Sequence, residues 1–273
     1  MQIGISSFSY TWAVGLPGFR PRRPMGLLDL LDEAIRLDLR VVQVANNIPL
    51  HETPAGELDC FEHRARSNHI QVEVATRGIQ PENLRRYLAL AVRFQSPFLR
   101  VVIDSAGHEP TPEAVIDLVK PLQSEFQESG ITLAFENHDR FPVRALVDIV
   151  QRLGPEWTGI CLDTANSFGA LEGPHIVVQT LAPYTVNLHL KDLIVYRAVH
   201  TMSFTIEGRP IGQGMLDIPW ILDQVRRYGR DANVILEMWT PPDEVLEDTI
   251  RKERQWVEDS VAYLRKNCRA LFG

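Results

Sequence analysis

The chain has 273 residues, 45% of them hydrophobic, and 28 Lys and Arg against 35 Asp and Glu give it a formal net charge of −7. That balance lacks the basic footprint a nucleic-acid backbone calls for, and no apolar run approaches the roughly 18 residues needed to span a bilayer. Cys60, Cys161 and Cys268 are too scattered for a disulfide framework or a zinc knuckle. With no basic or long apolar leader in Met1-Gln2-Ile3-Gly4-Ile5, the expectation is a cytoplasmic protein that works on a small molecule and has no nucleic-acid or membrane partner.

In chain order, residues 2–8 read as a first buried strand, followed by a long loop over 9–24 that holds Tyr10, Trp12 and Phe19. Leu27, Leu28, Leu31, Ala34 and Ile35 have helical spacing and predict a helix from Met25 to Leu37. Arg40 to Ala45 (RVVQVA) reads as the second strand, Leu58 to Ser67 as a helix and Ile70 to Ala75 as the third strand. Pro81 suits the first turn of a helix that runs to Phe94, and Phe98 to Ile103 forms the fourth strand. A helix from Pro112 is expected to end at Gly130, with the fifth strand over Ile131 to Glu136. Phe141-Pro142 opens a helix to Gly154, residues 157–163 make the sixth strand, and a Gly-rich loop with a short helix leads to the seventh strand at 185–190. Lys191 to Met215 is expected to be a long loop, and Asp217 to cap a helix that reaches Tyr228. Residues 232–237 are the eighth strand, and a final helix spans Asp243 to Arg269.

Eight strands, each followed by a helix, predict βαβ units and a parallel sheet. Repeated right-handed crossovers close such a sheet into a (β/α)8 TIM barrel, here read as one domain over 1–273. An open doubly wound sheet fits less well, because no G-x-G-x-x-G occurs and Ser6-Ser7-Phe8-Ser9 stands where a phosphate turn would be. No Walker loop, G-x-S-x-G or H-E-x-x-H is present either.

The functional signal lies at the strand ends. The fifth to eighth strands end in Glu136, Asp163, His189 and Glu237, and in such a barrel active sites sit at the C-terminal ends of the strands. One acid at a strand end is often only a helix cap. Four ligand-type residues at four consecutive strand ends point instead to a metal site with Glu136, Asp163, His189 and Glu237 as ligands. Its hard, oxygen-rich donor set suits one divalent ion such as Mn²⁺, Mg²⁺ or Co²⁺.

The stretches FENHDR, CLDTAN, NLHLKD, IGQGMLD and LEMW resemble the xylose isomerase-like TIM barrel superfamily, also described as the sugar phosphate isomerase/epimerase family or apurinic endonuclease family 2. The resemblance is clear over strands 5 to 8 and extends to the N-terminal half only in general layout. It implies a single divalent metal held by those same four residues, without fixing the reaction. Isomerising or epimerising a ketose removes a proton beside a carbonyl and leaves an enediolate, whose charge a chelated divalent ion can offset as a Lewis acid. By the epimerase pattern, Glu136 and Glu237 would also be the catalytic acid/base pair on opposite faces of the substrate.

Strand alternation places His138 with Glu136, Lys191 with His189 and Trp239 with Glu237 as substrate-binding candidates. Arg209 in the long loop and His108 after the fourth strand join them, while Glu73, Arg77 and Arg100 are expected to pair across the barrel interior. One position departs from the family pattern. Members that act as epimerases often carry His three residues after the sixth-strand acid, where this chain has Asn166, which can bind a hydroxyl but is neither acid nor base.

The sequence therefore ranks a metal-dependent isomerase or epimerase of a keto sugar first. The alternative is a metal-dependent lyase, a decarboxylase or dehydratase of an oxo-sugar acid or oxo-cyclitol. Asn166, Lys191 and Arg209 favour the lyase, and the opening ISSFSYTWAVG and the loop after the second strand resemble the oxo-isoapionate decarboxylase branch. An apurinic endonuclease-like nuclease or a catalytically inactive binding barrel ranks last. A homo-oligomer is left open, with loop 9–24 or the last helix as either interface or lid.

Overall fold

The computed structural model describes residues 1–229, 232–269 and 272. Eight parallel strands close into a barrel: β1 (Ile3–Ser6), β2 (Val41–Val44), β3 (Gln71–Arg77), β4 (Phe98–Val102), β5 (Thr132–Glu136), β6 (Thr158–Asp163), β7 (Thr185–Leu190) and, after a two-stranded insertion, β10 (Asn233–Leu236). The strand order β1-β10-β7-β6-β5-β4-β3-β2 is that of a (β/α)8 barrel, as the alternation of apolar runs and helical patterns predicts.

The helices are α1 (Thr11–Val14), α2 (Leu27–Arg36), α3 (Ala55–Ser67), α4 (Pro81–Arg93), α5 (Pro112–Val119), α6 (Gln123–Ser129), α7 (Val143–Leu153), α8 (Pro174–Leu181), α9 (Ile218–Arg227) and α10 (Leu246–Asn267). In α2 the buried residues are Leu27, Leu30, Leu31 and Ala34, a stripe of i, i+3, i+4 and i+7 that faces the sheet. The outward-pointing strand residues Val42, Val44, Val72, Val74, Leu99 and Val101 meet these stripes in the main core, each buried aliphatic side chain worth about 1.5–3 kcal/mol.

Three expectations need correction. The helix expected from Pro112 to Gly130 is broken into α5 and α6 by a 3-10 turn at Lys120–Leu122. Pro121 has no N–H to give to a continuous helix. The stretch after the seventh strand is not all loop: β8 (Asp192–Arg197) and β9 (Phe204–Arg209) form an antiparallel hairpin that pairs Asp192 with Arg209 and Arg197 with Phe204. Loop 9–24 is also partly ordered, holding the end of a 3-10 turn (Ser7–Tyr10) and α1.

The hairpin is fastened at its base by one carboxylate. Asp192 Oδ2 accepts the N–H groups of Gly212 and Gly214, both at 2.9 Å, and Oδ1 those of Leu193 (2.8 Å) and Leu216 (3.2 Å). This explains the glycines of IGQGMLD. Gly212 has φ +84°, and a Cβ on Gly214 would stand 2.0 Å from the Asp192 carboxylate.

A second fastening acts on the N-terminal strap. Glu253 of α10 accepts the backbone N–H groups of Trp12 (3.0 Å) and Ala13 (3.1 Å), and the Trp12 indole donates to the Thr240 carbonyl (2.8 Å). The strap is thereby held over the end of β10.

The inside of the barrel is polar to an unusual degree. TIM barrel interiors are dominated by branched apolar side chains. Here Gln43, Glu73, Arg100, Cys161, Asn187 and Asn233 are all at least nine-tenths buried. Hydrogen bonds from β2 and β3 cross the interior to β7 and β10.

Candidate metal centre and substrate cavity

Barrel closure brings the four sequence-predicted ligands together. Glu136 and Asp163 are the last residues of β5 and β6, His189 lies opposite Asp163 in the β6–β7 register, and Glu237 follows β10 directly. All four are buried. His189 Nδ1 lies 3.3 Å from Glu237 Oε1, 3.4 Å from Glu136 Oε2 and 3.9 Å from Asp163 Oδ2. It has no hydrogen-bond partner despite its burial. A fully buried, unpartnered ring nitrogen facing three carboxylate oxygens suits a divalent cation. Asp163, His189 and Glu237 form one cluster able to hold a metal, and Glu136, Cys161 and His189 an overlapping one.

Local structure aims each group. Asp163 commits Oδ1 to the N–H groups of Ala165 (2.8 Å) and Asn166 (2.9 Å), which turns Oδ2 inward. Ser6 at the end of β1 donates to Glu237 Oε1 (2.9 Å). Asn137 clamps the Asp163 backbone, accepting its N–H at 2.7 Å and donating to its carbonyl at 2.9 Å. Asn166 donates to Glu136 Oε1 (2.8 Å).

Two buried cations share the site. Arg100 pairs with Glu136 through Nε and Oε2, while Lys191 pairs with Asp163 and, at 2.8 Å, with Glu237 Oε2. Three carboxylates against two fixed cations leave one negative charge uncompensated, which is room for a further cation. Burial would raise Glu136, but Arg100 and Lys191 hold its carboxyl below the usual range. Burial is likewise outweighed at Glu237, which Lys191 and Arg100 hold far below that range. Desolvation should lower Lys191, yet Asp163, Glu237 and Glu136 keep its ammonium well above its ordinary value. Burial, reinforced by Glu136, pushes the Cys161 thiol well up.

Above the cluster opens a cavity of about 360 Å³. Of the substrate-binding candidates, His138, Asn166, Lys191 and Trp239 line it, and Trp239 stands over Lys191 with the ammonium 5.7 Å from the ring centroid. Two candidates are not brought there. Arg209 is turned back on its own hairpin, onto Glu207 and, at 2.7 Å, the Gly208 carbonyl. His108 is held away in a tight turn, its backbone bonded both ways to Ser105. The expected trio of Glu73, Arg77 and Arg100 does not form either. Arg100 takes Glu136, Glu73 is surrounded by amides, and Arg77 ends β3 as an exposed guanidinium on the cavity wall.

Several site residues escape a reading by strand ends. Trp12 and Leu16 reach the cavity from the N-terminal strap, and Arg100 reaches the carboxylates from mid-strand. For Arg100 in FLRVV, as for Gln43 in VVQV, the visible signal was a polar residue inside an apolar run.

Comparison with known proteins agrees with this fold. The model of the xylose isomerase-like TIM barrel family matches residues 26–267. The chain belongs to that family. It is 32% identical over 264 residues, 97% of this chain and 95% of the other, to 3-oxo-isoapionate decarboxylase of Pectobacterium atrosepticum. Among solved structures it is similar to a xylose isomerase-like TIM barrel protein from Mycobacterium smegmatis in complex with magnesium (TM-score 0.68, 13% identity, 96% and 97% of the two chains). It is also similar to D-psicose 3-epimerase from Clostridium cellulolyticum H10 with D-tagatose (TM-score 0.71, 13% identity, 100% of both chains). At these identities the two structures attest the family fold.

Proposed function

We propose that this protein is a divalent-metal-dependent decarboxylase of a 3-oxo-sugar acid, the lyase alternative rather than the isomerase ranked first from sequence. The observation that carries it is the clamping of both would-be proton shuttles: Glu136 is tied to Arg100 and Glu237 to Lys191, inside the barrel. An epimerase needs two groups that exchange a proton with carbon on opposite faces. Decarboxylation of a 3-oxo acid needs no base to begin. The C–C bond to the carboxylate breaks, its electron pair moves to the ketone oxygen, carbon dioxide leaves, and solvent returns one proton to carbon. What the reaction needs is fixed positive charge near the forming enolate.

Glu136, Asp163, His189 and Glu237 would hold one Mn²⁺, Mg²⁺ or Co²⁺, as a magnesium-bound family member and the hard donor set suggest. Bound there, the ion would act as a Lewis acid toward the ketone. In this reading the chain's own residues do the rest. Arg100 and Lys191 add buried positive charge, Asn166 orients Glu136 and meets a substrate hydroxyl, and Trp239 and Trp12 wall the carbon skeleton. Arg77, exposed on the cavity wall, faces the departing carboxylate, screened enough by water to select an acid without locking it in the ground state. The decarboxylase among its relatives, alike over nearly the whole chain, favours the same substrate class.

The test is carbon dioxide release from 3-oxo-tetronic acids generated in situ, with Mn²⁺-, Mg²⁺- and Co²⁺-loaded protein. Metal-dependent release above the spontaneous rate is expected. Solvent deuterium entering D-fructose or D-psicose, with no carbon dioxide from any oxo acid, would restore the epimerase.

A further inference from the structure

Below the mouth, a single amide joins the metal-site histidine to a buried acid. Gln43, fully buried on β2, lies 2.7 Å through Oε1 from His189 Nε2, and its Nε2 donates to Glu73 Oε2 (3.1 Å) and Asn187 Oδ1 (3.0 Å). Glu73 receives two further donors, Asn187 Nδ2 on Oε2 (3.1 Å) and Asn233 Nδ2 on Oε1 (2.8 Å). Its side-chain neighbours thus present N–H groups and no acceptor.

A chain of constraints follows from donor and acceptor chemistry. When ionised, Glu73 only accepts, so Gln43 must turn its NH₂ toward it. Its carbonyl must then face His189, and a carbonyl only accepts, so His189 must carry its proton on Nε2. The lone pair is left on Nδ1, the atom that faces Glu136, Asp163 and Glu237. The opposite tautomer would set a ring lone pair against the Gln43 carbonyl at 2.7 Å. Flipping the amide to relieve that contact would set its oxygen against Glu73. Keeping a carboxyl in the barrel interior is costly, and its orientation of this amide gives that cost a function.

We propose that Gln43 and Glu73 are positioning residues: together they hold His189 as the Nε2–H tautomer and so aim its Nδ1 lone pair into the metal site. The link to metal affinity rests on the metal reading above; the tautomer does not. Neither residue lines the substrate cavity.

The experiment is ¹⁵N–¹H long-range correlation of the histidine rings in metal-free protein at alkaline pH, with Mn²⁺ titration calorimetry alongside. Wild type should show His189 as one Nε2-protonated species. In Glu73→Gln the residue at 73 can both donate and accept, which frees Gln43 to flip; Gln43→Met removes the acceptor altogether. Both variants should show a mixed His189 tautomer and bind Mn²⁺ about ten- to a hundredfold more weakly. If Gln43→Met does not fold, Glu73→Gln alone decides. Mixed tautomers in wild type overturn the proposal, and so does an unchanged ring in the variants, even with a lowered melting temperature. Wild type that binds no Mn²⁺ but shows the single tautomer, lost in Glu73→Gln, refutes the metal reading and leaves the positioning role standing.

Discussion

Glu136, Asp163 and Glu237 at the barrel mouth share their burial with Arg100 and Lys191, whereas Glu73, deeper in the same barrel, shares its burial with three amides. The result is opposite. Cations overcome desolvation and hold Glu136 and Glu237 below the usual carboxylate range. Amides only temper it, and burial pushes Glu73 up to about 7 despite Asn233, Gln43 and Asn187. A dipole can orient a buried charge but not neutralise it. The mouth is thus built for holding charge and the interior for setting direction.

The largest effect should come from breaking the mouth's balance. Lys191→Met strands Asp163 and Glu237 without their cation, and the metal-free protein should lose about 3–5 kcal/mol, the cost of leaving one member of a buried pair unmatched. Mn²⁺ should restore much of this, visible as a far larger rise in melting temperature on metal addition than in wild type. Glu136→Gln and Glu237→Gln should each abolish turnover while the fold remains, measured by carbon dioxide release and circular dichroism; wild-type rates in either would remove that residue from the chemistry.

The interior side of the comparison is sharpened by pH. Burial raises Glu73 to about 7 and, at the strap, Glu253 to about 8, against the backbone N–H groups it accepts. Both folded-state values exceed the ordinary carboxylate value of 4.5. The folded protein therefore binds more protons than the unfolded chain between about 4.5 and 8, and stability falls as pH rises through that window. The urea midpoint should drop from pH 5 to pH 8 (about those values), and Glu253→Gln should flatten the slope. A midpoint that climbs across this range would contradict it.

Smaller effects are expected at the rim. Arg77→Met should raise KM for an oxo acid by about fivefold with little change in kcat, the ceiling for one exposed ion pair of roughly 1 kcal/mol. Arg209→Met, tied back onto Glu207, should leave the kinetics as they are.

What could be read from the sequence follows the same division. The mouth was legible because a parallel barrel puts each strand's last residues at one end, so Glu136, Asp163, His189 and Glu237 announce themselves by position alone. The interior was only half legible. Gln43, Glu73 and Arg100 stand out as polar residues within apolar strands, but their partners depend on how strands stagger around the closed barrel, and Arg100 meets Glu136 rather than Glu73. The hairpin was illegible for a different reason. Most of it projects from the barrel, with Tyr196, Phe204 and Ile206 exposed, so the short apolar–polar alternation of Phe204 to Glu207 faces no core.

The Asp192 clasp has a practical consequence. Because one carboxylate binds the backbone on both sides of the hairpin, at Leu193 and at Gly212, Gly214 and Leu216, the stem is closed independently of what lies beyond it. Residues 195–207 then form an exchangeable cassette, open to grafting or shortening without disturbing the barrel that carries it. Near its base the hairpin touches the cavity wall, where Gly208 lies so near the Trp239 backbone that an added Cβ would stand 2.2 Å from its carbonyl oxygen. Gly208 adjoins the cassette, so under the proposed function the hairpin is a place to vary which acid is accepted.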